Sequence, residues 1–287
     1  MAPPPRGPRQ RLGTLGDRME ISLDYAVHPR PRYGYGRPPH PELQHLLAAG
    51  DDRYRRRLGD ILAHADALAR IPREPGPALE PAWRNDFIPG LDGAALYTAV
   101  ADRAPARYVE VGSGNSTRFV RRAIRDHGLA TRVTSIDPVP RAEVDELCDD
   151  IVRAPLEDAD LSVFASLSPG DVVFVDNSHR AFTNSDVTVV FLEVLPRLPA
   201  GVRVGIHDIC LPLDYPDAWS DRFYNEQYLL ATFLLGGHAG YEIDLPAYYI
   251  SNHPELAGVL EPLWSRTELD GVQRHGGAFW MERVSLS

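Results

Sequence analysis

Three short stretches of this chain bring acids, histidines or glycines to places where an apolar run ends. Residues 171–176 end on Asp176 and continue through Asn177 and Ser178 to His179, while residues 202–207 end on His207 and are followed by Asp208. Two carboxylates and an imidazole on neighbouring strand ends, Asp176, Asp208 and His207, could hold a divalent cation, with water and substrate oxygens completing its shell. The imidazole would tilt the preference from Mg toward Mn, Fe or Zn. The same residues also admit plainer roles. Asp176 could bind a cofactor amine, and His207 with Asp208 could be an internal hydrogen-bonded pair.

The third stretch, 107–111, runs into Gly112, Ser113, Gly114, Asn115 and Ser116. Glycines in such a turn let the backbone pass close to a ligand, and the next helix presents free N–H groups at its start. Glu110 precedes Gly112 by two residues, where an acid suits a cationic amine and would repel a pyrophosphate. The third glycine of the dinucleotide pattern is absent, since Thr117 stands there. Asp137 closes the next apolar run, 25 residues after Gly112, placed to bind ribose hydroxyls.

These residues need a sheet edge to hold them. Residues 107–111, 132–137, 151–152, 171–176 and 202–207 read as strands. Between them, helical patterns start at Ser116 or Thr117 and stop at Gly128, and cover Ala142 to Asp149 and Val187 to Leu198. Strands alternating with helices imply an α/β fold, a Rossmann-like doubly wound, mainly parallel seven-stranded sheet. Tyr241 to Ile250 and Ala278 to Val284 read as an antiparallel hairpin at its edge. Ahead of this domain, assigned to residues 81–287, residues 1–80 form an N-terminal helical appendage. It comprises a Pro- and Arg-rich arm to about residue 40 and helical patterns around Leu43 to Leu47 and Leu58 to Leu68, broken by Pro72, Pro75, Pro77 and Pro81. The arm, with Tyr33 and Tyr35, is expected to act as a lid or a dimer contact. Trp83, Asn85, Phe87, Pro89 and Asp92 are expected to cover the cofactor.

Composition narrows the partners. With 40 acidic against 30 basic residues the net charge is -10, and nucleic-acid binding needs a basic face. All 30 of the basic residues are arginine, which removes lysine as a catalytic base. Cys148 and Cys210 are too few for a disulfide framework and lack zinc spacing. No apolar run approaches a membrane span and the N-terminus lacks an apolar signal core, so the expectation is a cytoplasmic protein with a small-molecule substrate, no membrane partner, and room for homo-oligomer formation.

The glycine turn, Ile136-Asp137, Val175-Asp176 and Ile206-His207-Asp208 together resemble the class I S-adenosylmethionine-dependent methyltransferases over about 100–284. The resemblance implies S-adenosyl-L-methionine as cofactor, with Gly112 and Gly114 along its methionine part, Glu110 near it, Asp137 on the ribose and Leu156 near the adenine. Ser113, Asn115 and Ser116 complete the turn. Metal-dependent catechol-type O-methyltransferases place an acid at the end of strand four and an Asp-Asn pair at the end of strand five, where this chain has Asp176 and His207-Asp208. The resemblance therefore implies a divalent metal (Mg, Mn or Fe) at Asp176, His207 and Asp208. In that family a lysine three residues after the strand-four acid deprotonates the acceptor, and here that position is His179. An ordinary imidazole pKa near ~6.5 suits the same task. The catalytic set so implied is His179, Asp176 and His207. The aromatic, amide-bearing segment after strand five offers Tyr224, Asn225 and Gln227 as substrate contacts.

The expected activity is O-methylation of a small molecule, as in natural-product tailoring. A metal-dependent hydroxylase on a methyltransferase-like sheet would share the Asp176, His207 and Asp208 set. An NAD(P)-dependent oxidoreductase would share the sheet and Asp137, though Glu110 and the missing third glycine count against it. A non-catalytic binding protein would not need the strand-end acids.

Overall fold

The structure is a computed structural model that describes residue 24 and residues 26–76, 79–140 and 143–285. A seven-stranded sheet runs in the order β3-β2-β1-β4-β5-β7-β6. Its strands are β1 (Arg107–Val111), β2 (Arg132–Ile136), β3 (Asp150–Val152), β4 (Val172–Val175), β5 (Arg203–Ile206), β6 (Tyr241–Pro246) and β7 (Phe279–Arg283). The pairs from β3 to β5 are parallel, whereas β7 is antiparallel to both β5 and β6. The expected antiparallel pair is therefore present, but its later strand slots inward, leaving β6 at the edge.

Four strands end level with one another. Val111 pairs with Ile136 and with Val175, and Val175 pairs with Ile206. The next residue on each strand, Gly112, Asp137, Asp176 and His207, consequently falls in one row along the carboxyl edge. Ladder bonds hold that row: Asp176 N–H donates to the Val111 carbonyl (2.8 Å) and His207 N–H to that of Val175 (2.8 Å). In open parallel sheets this edge is where ligands bind.

Helices flank the sheet because their apolar residues recur at helical spacing. In α5 (Asn115–His127) the buried stripe is Phe119, Val120, Ala123 and Ile124, and Gly128 ends the helix in the left-handed conformation at φ 61°. Full burial of side chains of this size is worth about 1.5–3 kcal/mol each, which fixes the helix against the sheet. Helices α1 (Pro41–Ala48), α2 (Asp51–Ala63) and α3 (Ala65–Ala69) bury Leu43, Leu47, Tyr54, Leu58, Ile61 and Leu68 in the same continuous core as the strands. Helix α4 (Gly90–Arg103), nearly all buried, packs against α5 and α2. The N-terminal helices thus share one core with residues 81–285, and residues 1–23 of the arm lie outside the described residues.

Three expected elements take other forms. Only a single 3-10 turn, Asp145–Leu147, stands in the described part of the expected 142–149 helix, and the 241–250 strand stops at Pro246 before a helical turn, Ala247–Ser251. The helix expected at 187–198 begins as α7 (Asp186–Val189) and continues as π and 3-10 turns to Arg197. Helix α6 (Ser162–Ala165) precedes β4 and helix α8 (Glu226–Leu235) precedes β6 in the chain.

Candidate active site

The turn after β1 is locked from beneath. Gly112 has φ 78°, and a Cβ there would stand 1.9 Å from the Asp176 carbonyl oxygen, so only glycine lets the turn and the end of β4 touch. Gly114 by contrast faces open space, since a Cβ there would meet nothing within 4 Å. Asp137 accepts hydrogen bonds from Ser113 N–H (2.8 Å) and Val139 N–H (2.8 Å) and stays partly exposed beside the turn. Ser113 meets Ser135 hydroxyl to hydroxyl at 2.7 Å, and Asn115 and the buried Ser116 open α5. The expected cofactor residues from 112 to 116 and Asp137 are therefore brought together around one turn at the carboxyl edge of the sheet.

Two other expected contacts are corrected. Glu110 is fully buried, with hydrogen bonds donated by the Tyr108 hydroxyl (3.0 Å) and by Thr117, so it braces the turn from inside instead of meeting a cofactor amine. Burial pushes its carboxyl up to about 7 against these hydrogen bonds. Leu156, expected beside adenine, is a core residue at 2% exposed.

The strand-end acids and histidines form one cluster. The His179 ring lies between three carboxylates: its Nδ1 is 2.8 Å from Glu226, and its Nε2 is 3.2 Å from Asp176 and 3.5 Å from Asp208. His207 Nδ1 stands 3.4 Å from Asp176 and 3.6 Å from Asp208, and its Nε2 lies 3.3 Å from Asp92. Asp92 in turn accepts from Gly277 N–H (2.7 Å) and Ala278 N–H (3.0 Å). Both histidines, Glu226 and Asp92 are buried, while the Asp176 and Asp208 side chains keep 26% and 21% of their surface open. His179 and Asp208 adopt left-handed backbone at φ 58° and 54°, strained positions that the surrounding contacts enforce.

Charge in this cluster is unequal. Asp92, Asp176, Asp208 and Glu226 face His179 and His207, so even with both imidazoles protonated the carboxylates predominate. Burial works to raise Asp176, but His207 and His179 outweigh it and hold that carboxyl well below the usual range. Burial also works to keep His179 neutral, yet hydrogen bonding to Asp176 and Glu226 pushes it up to about 10. These carboxylates favour the protonated form of the His179 ring. A raised imidazole pKa runs against the expected general-base role, and its cause includes Glu226, a contact 47 residues further along of which the sequence spacing gave no sign.

A cavity of about 580 Å³ opens over Asp176, His207 and Asp208, with Phe87, Pro89, Trp219, Arg222, Tyr224 and Tyr248 among its walls. A larger one of about 1120 Å³ adjoins it, bordered by Tyr215, Trp219, Tyr224, Asn225 and Tyr228. Of the expected substrate contacts, Tyr224 borders both and Asn225 the larger. Gln227 is buried, accepting from Cys210 N–H (2.9 Å) and donating to the Leu213 carbonyl (3.2 Å), so it holds the chain after β5. Of the residues expected to cover the cofactor, Phe87 and Pro89 line the smaller cavity, Asn85 shapes their turn by accepting from Phe87 and Ile88 N–H, and Asp92 backs His207. Trp83 is core, packed on Phe119 and Trp264. The arm reaches the same region: Asp214 accepts from Arg32 N–H (2.5 Å) and Tyr33 N–H (2.9 Å), and Tyr35 meets Tyr248 hydroxyl to hydroxyl at 3.2 Å. Among the described residues no helix is long and apolar enough to cross a membrane.

Comparison with known proteins bears on the same segment. Residues 109–209 match a family described as a methyltransferase domain. No curated protein matches the chain. Among solved structures, a methyltransferase from Podospora anserina bound to S-adenosylhomocysteine is 15% identical, with a TM-score of 0.43, covering 79% of this chain and 88% of its own. An O-methyltransferase from Bacillus cereus, also with S-adenosylhomocysteine, is 15% identical at a TM-score of 0.41, covering 80% and 90%. The O-methyltransferase TomG from Streptomyces achromogenes, in complex with S-adenosylmethionine, is 18% identical at 0.39, covering 68% and 81%. The family match spans the glycine turn, Asp137, Asp176 and His207, so residues 109–209 of this chain are similar to a methyltransferase domain.

Proposed function

We propose that the protein transfers the methyl group of S-adenosylmethionine to a hydroxyl oxygen of a small molecule held in the two adjoining cavities. The observation that carries this is the single row Gly112, Asp137, Asp176 and His207, which sets a cofactor turn directly beside an acid-rich cavity floor. Gly112 and Gly114 allow close approach of the cofactor, Ser113, Asn115 and Ser116 frame it, and Asp137 accepts from its ribose hydroxyls. Methyl transfer is an in-line displacement at a sulfonium, so the protein's task is to align the acceptor oxygen and favour its deprotonated form.

The donor chemistry at the cavity floor fits a divalent cation. Two partly open carboxylates and an imidazole nitrogen converge there with carboxylates in excess, although no ready-formed metal group of three or more such side chains exists among the described residues. Asp176, Asp208 and His207 would hold the ion, with Asp92 behind His207 fixing its ring. A bound cation would supply acidification of the acceptor hydroxyl. His179, tied to Glu226, would hold Asp176 and Asp208 in place, and the open carboxylate edges face the acceptor. Tyr224 and Trp219 would wall the acceptor ring or chain.

The test is transfer of labelled methyl from S-adenosylmethionine to a panel of hydroxyl compounds, with metal content measured before and after chelation. Loss of turnover on chelation, restored by Mn or Mg in the wild type and not in Asp208→Ala, supports the reading. Full turnover in metal-free enzyme would sink the metal assignment. Oxygen uptake with iron bound, in place of methyl transfer, would favour the hydroxylase.

A further inference from the structure

We propose that the methyl acceptor carries an anionic group, a carboxylate or a phosphate, received by Arg222 and Arg180 on the aromatic wall between the two cavities. The proposal rests on the acceptor assignment of those cavities made above. Pro216, Trp219, Arg222 and Tyr224 border both spaces, so a ligand reaching from the strand-end acids into the larger cavity must pass them. The Arg222 guanidinium lies 4.5 Å over the Trp219 ring and 5.6 Å over Tyr224, and that of Arg180 lies 5.0 Å over Tyr224. Stacking of this kind uses the flat face of a guanidinium and leaves its N–H edge available.

Arg180 is fixed where it stands. Its Nε donates to the Arg222 carbonyl (2.8 Å) and a terminal nitrogen donates to the Ser178 carbonyl (3.0 Å), which joins the wall to the loop that bears His179. Both of these partners are backbone carbonyls. In a chain with a net charge of -10, arginines readily find carboxylates, as Arg57 finds Asp244, Arg121 finds Asp149 and Arg274 finds Glu261. Among the described residues Arg180 and Arg222 pair with none, although Asp217 and Asp221 border the same cavity.

Two guanidiniums on the Trp219 and Tyr224 rings, neither paired with an acid among the described residues, form a receptor for an anion. A planar carboxylate or a phosphate fits the donor edge of Arg222 and the remaining terminal nitrogen of Arg180. A cationic ligand is disfavoured, because the Trp219 and Tyr224 faces that would hold it are already taken by arginine.

The test is calorimetric titration of 4-hydroxybenzoate, phenyl phosphate and the uncharged 4-hydroxybenzamide into the full chain, with and without S-adenosylhomocysteine. The anions should bind about tenfold more tightly than the amide, the worth of one charged hydrogen-bonded contact, and added salt should erode the margin. The tighter of the two anions identifies carboxylate or phosphate as the group. Arg222→Gln should remove most of the preference and Arg222→Lys should restore part of it, while S-adenosylhomocysteine affinity stays at the wild-type value and reports an intact fold. Equal binding of anion and amide, no anion binding at millimolar concentration, or an unchanged preference in Arg222→Gln combined with Arg180→Gln overturns the proposal. If the anion preference holds while S-adenosylhomocysteine fails to bind, the methyltransferase reading fails and the anion site stands.

Discussion

Arg203 opens strand β5 and His207 follows its last residue, and both side chains are buried, at 5% and 4% exposed. The two ends are built differently. At the first, Arg203 and Arg57 each stand 2.6 Å from the Asp244 carboxylate, Arg57 also reaches Asp60 (3.3 Å), and Arg103 pairs with Glu282. Three guanidiniums, Arg57, Arg103 and Arg203, thus meet three carboxylates, Asp60, Asp244 and Glu282. The space left there is about 30 Å³, enough for about one water. At the second end, four carboxylates meet two imidazoles beneath a cavity of about 580 Å³. Buried charge that is matched and closed holds a fold together, whereas buried charge left in excess at an opening calls for a ligand.

Mutation at each end should separate stability from activity. Arg203→Ala leaves Asp244 buried with one partner fewer and should cost about 3–5 kcal/mol in urea unfolding, with the cofactor affinity of the folded protein unchanged. Asp208→Ala should do the reverse, lowering methyl transfer by about 10²–10³-fold, read in single turnovers, while shifting stability by no more than about 1 kcal/mol. A large stability loss in Asp208→Ala with turnover preserved would break the comparison. Glu226→Gln should have a smaller effect, about tenfold on kcat with KM little changed, because Asp176 and Asp208 still hold His179.

The matched end should also show itself in acid. Burial works to raise Asp244, but Arg203 and Arg57 outweigh it and hold its carboxyl below the usual range. A depressed carboxylate contributes stability that is present above its unfolded pKa and lost as pH falls through the folded value. The stability gap between wild type and Asp244→Asn should therefore be widest near neutrality and shrink below about pH 4, the ordinary carboxylate range. Chemical unfolding across that range checks it, and a gap that widens in acid would contradict the assignment.

Much of this design was legible in the sequence because it is local. Apolar runs bounded by Gly112, Asp137, Asp176 and His207 marked strands to within a residue, and the parallel sheet aligned those ends into a row. The contacts that decide chemistry were not legible, because they join distant positions. Glu226 reads as one more residue at the start of an apolar helix until the fold sets it against His179, and Asp92 lies within a helix whose burial only packing reveals. The run Tyr248-Tyr249-Ile250 has strand-like residues, but Tyr249 packs on Tyr54 and its hydroxyl donates to Asp51 (2.9 Å), so tertiary contact favours a helical turn. The insertion of β7 between β5 and β6 likewise leaves no mark in either strand's pattern.

The most direct test of the central claim is calorimetric titration of S-adenosylmethionine and S-adenosylhomocysteine into wild type and Asp137→Ala. Micromolar binding in the wild type, weakened about tenfold or more when Asp137 is removed from the turn, is the predicted result. No binding of either ligand, with NADH bound in their place, would contradict it and move the protein to the oxidoreductases.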